Sequence, residues 1–209
     1  MMKKSKINWL CLSGLLALVF YLLHDIIGAI YYPNYNFLKQ AVSDLTAVDS
    51  ESYVIANGLS SIYGIFSCLC CSIIFIGLNK NENKLFKIGV FIYMIMNYIS
   101  AIGYSIFPLT SSGYDGTIQS FIHVYIITAF VVISSIISLI FIFIGAKENK
   151  IISYSAILSL IFMFLGSIGT IFIPKDYFGL VERFSTYSAV VFTAILGIYG
   201  FLTFDEYNK

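Results

Sequence analysis

Charge is what this 209-residue chain has least of: Asp, Glu, Lys and Arg together make up 11%. Soluble domains run near 25% charged, so a surface this poor in charge cannot face water on all sides. Proline occurs three times, tryptophan once and histidine twice. Arginine occurs once, at Arg183, against eleven lysines. The net charge of +1 marks no basic patch, which excludes a nucleic-acid surface and says nothing further about partners. The four cysteines, Cys11, Cys68, Cys70 and Cys71, all fall inside apolar runs rather than loops. That excludes an extracellular disulfide framework. The Cys68-Leu69-Cys70-Cys71 cluster has no His or carboxylate near it in sequence, and reads as small apolar packing rather than a metal or palmitate site. The period-2 alternation of a membrane barrel is absent, and so is a spaced metal signature such as His-Glu-x-x-His.

What the chain has in abundance is apolar length: 59% hydrophobic residues and a mean hydropathy of +0.89. Runs of about 20 apolar residues span a bilayer. Six are predicted, near Trp9–Ile30, Tyr53–Leu78, Phe86–Phe107, Ile118–Ile144, Ile151–Ile173 and Phe184–Phe204. Their Ile, Phe and Val would favour strand in water, but in hydrocarbon each span must satisfy its own backbone, so helix wins. The expected fold is an all-α integral membrane protein, one six-helix domain over 1–209. Lys3, Lys4 and Lys6 before Trp9–Phe20 imitate a signal peptide. The run continues past His24-Asp25 with no small-residue cleavage site, which favours a retained first helix.

Every proline follows the same spelling. Ile27-Gly28 precedes Pro33, Ile102-Gly103 precedes Pro108 and Ile168-Gly169 precedes Pro174, each with four residues between. Pro disfavours helix just before it, and Gly permits close helix contact. The pattern suggests three parallel helical hairpins, a 2+2+2 plan. Lysines then orient it. Lys3, Lys4, Lys6, Lys80, Lys84, Lys87, Lys147, Lys150 and Lys209 fall on one side, against Lys39, Lys175 and Arg183 on the proline side. The positive-inside rule places both termini in the cytoplasm. The Lys, Ile, Asn and Tyr usage suggests an AT-rich genome, with a bacterial plasma membrane as the expected location.

The outer side holds the unusual residues. Nine tyrosines gather there, among them Tyr31, Tyr32, Tyr35, Tyr104 and Tyr187, enough for an interfacial aromatic belt. In the first outer loop Phe37, Leu38, Ala41, Val42 and Leu45 fall at helical spacing behind a capping Asn36, predicting a short surface helix or a lid. Buried ionisable residues in a span are costly and point to function. His24 and Asp25 lie about 10–13 Å below the outer end of the first helix, and His123 about 8–10 Å below that of the fourth. Glu182-Arg183 opens the last. A bundle joining helices one, four and six would make one outward-facing polar pocket.

Tyr32-Pro33-Asn34-Tyr35 and Ala41-Val42-Ser43-Asp44-Leu45, on six hydrophobic helices, resemble the bacterial and archaeal "domain of unknown function 998" membrane proteins. Phe107-Pro108 before the helix bearing His123, and Glu182-Arg183-Phe184-Ser185 before the last helix, fit the same pattern. The resemblance covers nearly the whole chain and implies six membrane helices, but no activity. The chain departs from the Tyr-Pro-Gly-Tyr form at Asn34, and Asn tolerates a left-handed backbone better than most residues.

Three functional readings follow. In the first, a small molecule or lipid headgroup is bound or transported in the outer pocket by Asp44, His123, Glu182 and Arg183, with Asn57, Gly58, Ser60 and Ser61 as small residues nearby. No midplane break or inverted repeat supports transport. In the second, His24, Asp25, Ser43, Asp44 and His123 serve an intramembrane lipid hydrolase. No cofactor is predicted; His24, Asp25 and His123 are residue types that would suit zinc. In the third, the histidines and charged pairs only tie helices together in an accessory membrane protein, with Asn97 as one partner. The expected partners are the bilayer and a lipid or small molecule on the outer face.

Overall fold

The computed structural model describes residues 4–204. Lys3 and Lys209, counted with the lysine-rich side, lie outside that range. Six helices are long and apolar enough to cross a membrane: α1 Lys6–Tyr31, α2 Tyr53–Gly77, α3 Lys84–Ile106, α4 Ile118–Gly145, α5 Lys150–Phe172 and α6 Lys175–Thr203. Among the described residues there is no strand. Five of the six expected spans match to within three residues at either end. The sixth differs: its α-helical part starts at Phe178, so Glu182 and Arg183 sit in its second turn instead of opening it. The cause is local docking, since the Leu180 amide donates to the Leu38 carbonyl (3.1 Å) and holds the first turn of α6 against the first loop.

All three prolines lie two residues past the last helical residue, after Tyr31, Ile106 and Phe172. They gather at one end, here the proline face, and the Lys80–Lys87 and Lys147–Lys150 turns form the lysine face. Each motif glycine packs on the next helix. A Cβ would meet Ala56 at Gly28, Ile127 at Gly103 and Val181 at Gly169, all within 3.3 Å. Consecutive helices pair closely, as they do in any up-down bundle with short turns, so this packing is no evidence for a sequence repeat.

Around the bundle each helix packs on its chain neighbours, and α1 closes the ring against α6. Close approach makes that seam: Gly14 faces the Thr193 carbonyl and Gly197 faces the Cys11 carbonyl. α6 also reaches α2 across the interior. The lysine-face half holds an apolar core of Cys70, Ile74, Phe86, Val90, Leu139, Ile142 and Leu196. All four cysteines are buried and free. The outward faces are apolar, with Val54, Ile118 and Phe172 at least 80% exposed, as lipid contact requires.

The first loop departs from expectation. Asn36 does cap, its Oδ1 accepting from the Leu38 and Lys39 amides, but the turn stops at Gln40. Only Val42–Thr46 is helical, as a 3₁₀ turn. The sequence also offered no sign that α4 carries a π-turn at Ile122–Ile127.

Candidate functional site

The proline face is closed by the first loop, folded inward over the helix ends. Tyr32-Pro33-Asn34-Tyr35 is a tight turn: the Tyr35 amide donates to the Tyr32 carbonyl (3.1 Å) and Asn34 has φ +62°. Pro second and a left-handed residue third is the chemistry of a type II turn, which explains why Asn can stand in the glycine position. Tyr35 is thereby aimed inward. Its hydroxyl donates to the Ala41 carbonyl (2.7 Å) and accepts from Arg183 Nη2 (2.8 Å). Burial pushes this phenol well above its ordinary pKa, against the pull of the Arg183 charge.

Arg183 of α6 and Asp25 of α1 form the centre of the closure, 4% and 1% exposed. Nε and Nη2 donate to the two Asp25 oxygens at 2.9 and 2.7 Å, and the Tyr187 hydroxyl adds a third bond to that carboxylate (2.6 Å). Nη1 donates toward the carbonyls of Gly179 (2.8 Å), Phe37 (3.0 Å) and Gln40 (3.2 Å). The Phe37 ring lies 3.7 Å from the guanidinium. A guanidinium has five N–H donors, and here all five are engaged within the chain. Arg183 is a clamp holding the loop to α1 and α6.

Asp44 ties two loops. Its oxygens accept from the Ala41 amide (3.2 Å) and the Gly113 amide (2.9 Å), and the Val48 amide donates to the Leu109 carbonyl beside it. In the second loop the Thr110 hydroxyl and the Thr117 amide bond Asp115 and hold its carboxyl below the usual range. His123 sits in the π-turn of α4. Its Nδ1 lies 2.8 Å from the Phe107 carbonyl. A carbonyl only accepts, so Nδ1 carries the proton and Nε2 is a bare acceptor in the neutral ring. The Tyr104 ring packs 4.6 Å away.

Below this closure the interior is polar. Glu182, Thr186, Ala189 and Thr193 fall on one stripe of α6, whose lower part is sealed by Tyr93: the hydroxyl donates to the Ala189 carbonyl (2.6 Å) and bonds Thr193 Oγ1 (3.0 Å). Asn97 Nδ2 donates to the Tyr93 carbonyl, and Asn97 Oδ1 accepts from Ser67. Above that floor Tyr21, Val42 and Val190 pack together with Tyr63 against them, and Tyr104 and Glu182 are half-buried. Glu182 Oε2 accepts from the Val42 amide (3.0 Å), which forms the roof.

A space opens sideways. Between α5 and α6 runs a groove of about 480 Å³ walled by Leu158, Phe162, Phe184, Val191 and Ile195, with Phe37 and Arg183 at its proline-face end.

The sequence candidates thus fall into separate places. Asp25 and Arg183 meet directly, while α4 carries His123 to the end of α3 instead of into a joint pocket with α1 and α6. Glu182 and Asp44 flank the roof. Ser43 is half-buried beside it. His24 is 3% exposed with both ring nitrogens unpartnered, packed on Tyr21 at 5.5 Å. Among the described residues, no three His, Cys, Asp or Glu side chains stand close enough to hold a metal ion. Sequence reasoning did not place Tyr21, Tyr63, Tyr93 or the Asn97–Ser67 pair around one interior. Helical spacing of polar residues on α2 and α3 was the available signal.

The family model described as "Protein of unknown function (DUF998)" matches residues 15–199. The chain belongs to the DUF998 family. No curated protein and no solved structure matches it. In this DUF998 protein the matched range holds all the contacts just described, from Asp25 to Thr193. The motif residues Tyr35, Asp44 and Arg183 are the fastenings of the closure.

Proposed function

We propose that this DUF998 protein is a lipid-binding membrane protein that holds one bilayer lipid, or an amphiphile of lipid shape, in the groove between α5 and α6. The observation that carries this reading is the groove itself. Its volume, about 480 Å³, falls in the range of ligand sites, about 300–1,000 Å³. It follows α6 from Leu180 to Ile195, about 22 Å at 1.5 Å per residue, which is the reach of an acyl chain. Ser155, Ser159 and Ser188 supply the few polar groups along it. Lysine distribution supports the orientation proposed with it: proline face outward, termini in the cytoplasm. A hydrolytic role has less support, because Asp25 is fully engaged by Arg183 and Tyr187.

Native mass spectrometry of protein released from membranes in mild detergent tests this. A retained lipid is expected, with occupancy roughly tenfold lower in Leu158→Trp and Val191→Trp, which fill the groove from either wall. An unloaded wild type, or tryptophan variants that keep the lipid, overturns the reading.

A further inference from the structure

Along the groove between α5 and α6 almost every polar side chain is already in use. At the proline-face end the Arg183 donors are spent on Asp25, Tyr35 and three carbonyls. Phe37 and Leu180 beside it are apolar. The Tyr187 hydroxyl donates to Asp25 (2.6 Å) and the Ser188 hydroxyl to the Ser185 carbonyl (2.7 Å). A phosphate or a carbonyl arriving at this end finds no free donor.

The other end differs. Ser155 and Ser159 line the groove, and among the described residues neither hydroxyl has a hydrogen-bond partner. Ser159 is 6% exposed, yet its oxygen is not sealed in as those of Ser13 and Ser135 are; the groove is what it faces. A serine in a membrane helix ordinarily satisfies itself on the carbonyl three or four residues back, as Ser72, Ser138 and Ser188 do here. Ser155 and Ser159 leave that bond unmade. Four residues apart, they share one face of α5, and their Cβ atoms tilt toward its N-terminus, which is the lysine face.

Depth says what they meet. α5 and α6 run antiparallel with Gly166 against Ser185, so Ser155 stands level with the Ile195 end of the groove. It lies five residues past Lys150, the first residue of α5, about 8 Å at 1.5 Å per residue. That is just inside the boundary between headgroups and hydrocarbon. A hydroxyl proton in hydrocarbon needs an acceptor, and the acceptor a lipid carries at that level is a carbonyl oxygen.

We propose that the groove takes a carbonyl-bearing lipid with its tail toward the proline face: its carbonyl oxygens accept from the Ser155 and Ser159 hydroxyls, and its chain runs to Phe37. The carbonyl belongs either to the acyl esters of a glycerolipid from the lysine-face leaflet or to the ring of a prenylated quinone. This assignment rests on the groove being a lipid site; the occupant's direction and its carbonyl are what it adds.

Native mass spectrometry of the delipidated protein tests it, with ester-linked phosphatidylglycerol, its ether-linked counterpart and a prenylated benzoquinone offered in equal amounts. The ether lipid keeps the headgroup and chains but lacks the carbonyls. The ester lipid or the quinone should be retained about fivefold or more above the ether lipid. Which of the two is kept names the source. Ser155→Ala/Ser159→Ala, with circular dichroism unchanged, should bring retention down to the ether level. The retained lipid, remade with a diazirine at the far end of its chain, should cross-link in the wild type to Phe37, Leu180 or Phe184. Cross-links at Leu158 or Ile195 instead, or a double variant that keeps the carbonyl lipid like wild type, overturn the proposal. Equal retention of all three, still abolished by Val191→Trp, also overturns it but leaves the groove a lipid site; no retention of any removes both.

Discussion

Asp25 and Arg183 form a buried ion pair, 1% and 4% exposed. Breaking a buried pair leaves an uncompensated charge and costs about 3–5 kcal/mol. Asp25→Ala should therefore lower the thermal midpoint in detergent sharply. Arg183→Lys should also destabilise, since an ammonium cannot make the bidentate contact and reach three carbonyls as well. The double variant Asp25→Ala/Arg183→Leu should be less damaged than the sum of its singles, and strict additivity in that cycle would show the pair to be uncoupled. Asp25 was legible in the sequence as a charge inside an apolar run, and Arg183 as a charge at the mouth of the last one. Their pairing was not, because 158 residues separate them and nothing local in either helix points to the other. His123 was legible as a buried imidazole. The proton on its Nδ1 was not, because that depends on the Phe107 carbonyl at the end of another helix.

Helices and turns were legible where one physical rule governs them. Apolar length located the six spans, and the prolines located three helix ends. Two elements escaped for tertiary reasons. The start of α6 is set by its bond to Leu38, and in the first loop the turn capped by Asn36 ends at Gln40, where the Phe37 and Gln40 carbonyls turn to Arg183, leaving only Val42–Thr46 helical. Contact between helices is equally specific. At Gly166 a Cβ would lie 2.4 Å from the Ser185 amide nitrogen, whereas at Gly58 nothing lies within 4 Å. Gly166→Ala should push α5 from α6 and cost about 1–3 kcal/mol. Gly58→Ala should stabilise by up to about 1 kcal/mol through helix propensity alone. Thermal melts of the two variants side by side check this; equal shifts would mean that the α5–α6 contact is looser than described.

For the whole molecule, the two ends do different work. The lysine-face half is a closely packed apolar core, while the proline-face half gathers the buried charges under a clamped loop. Orientation is therefore a functional statement. A single cysteine at Asp115, in a background with the four native cysteines replaced by alanine, should react with a membrane-impermeant thiol reagent added to intact cells; reaction only after the cytoplasmic side is opened would invert the assignment. The division between halves was half legible: the depth of the histidines and the tyrosine excess pointed to the proline face, but the closure exists only once the first loop meets α1 and α6.

The clamp also orders the birth of the protein. A membrane chain is threaded into the bilayer from its N-terminus, so Asp25 arrives with the first helix and Arg183 only with the last. Through the intervening synthesis the aspartate has no guanidinium to meet. The first loop, which rests on that same arginine, cannot settle either. Closure of the proline face is thus a late event in assembly, because it waits for Arg183. Until α6 is made, the Asp25 carboxylate and the Phe37 and Gln40 carbonyls lack the guanidinium that joins them.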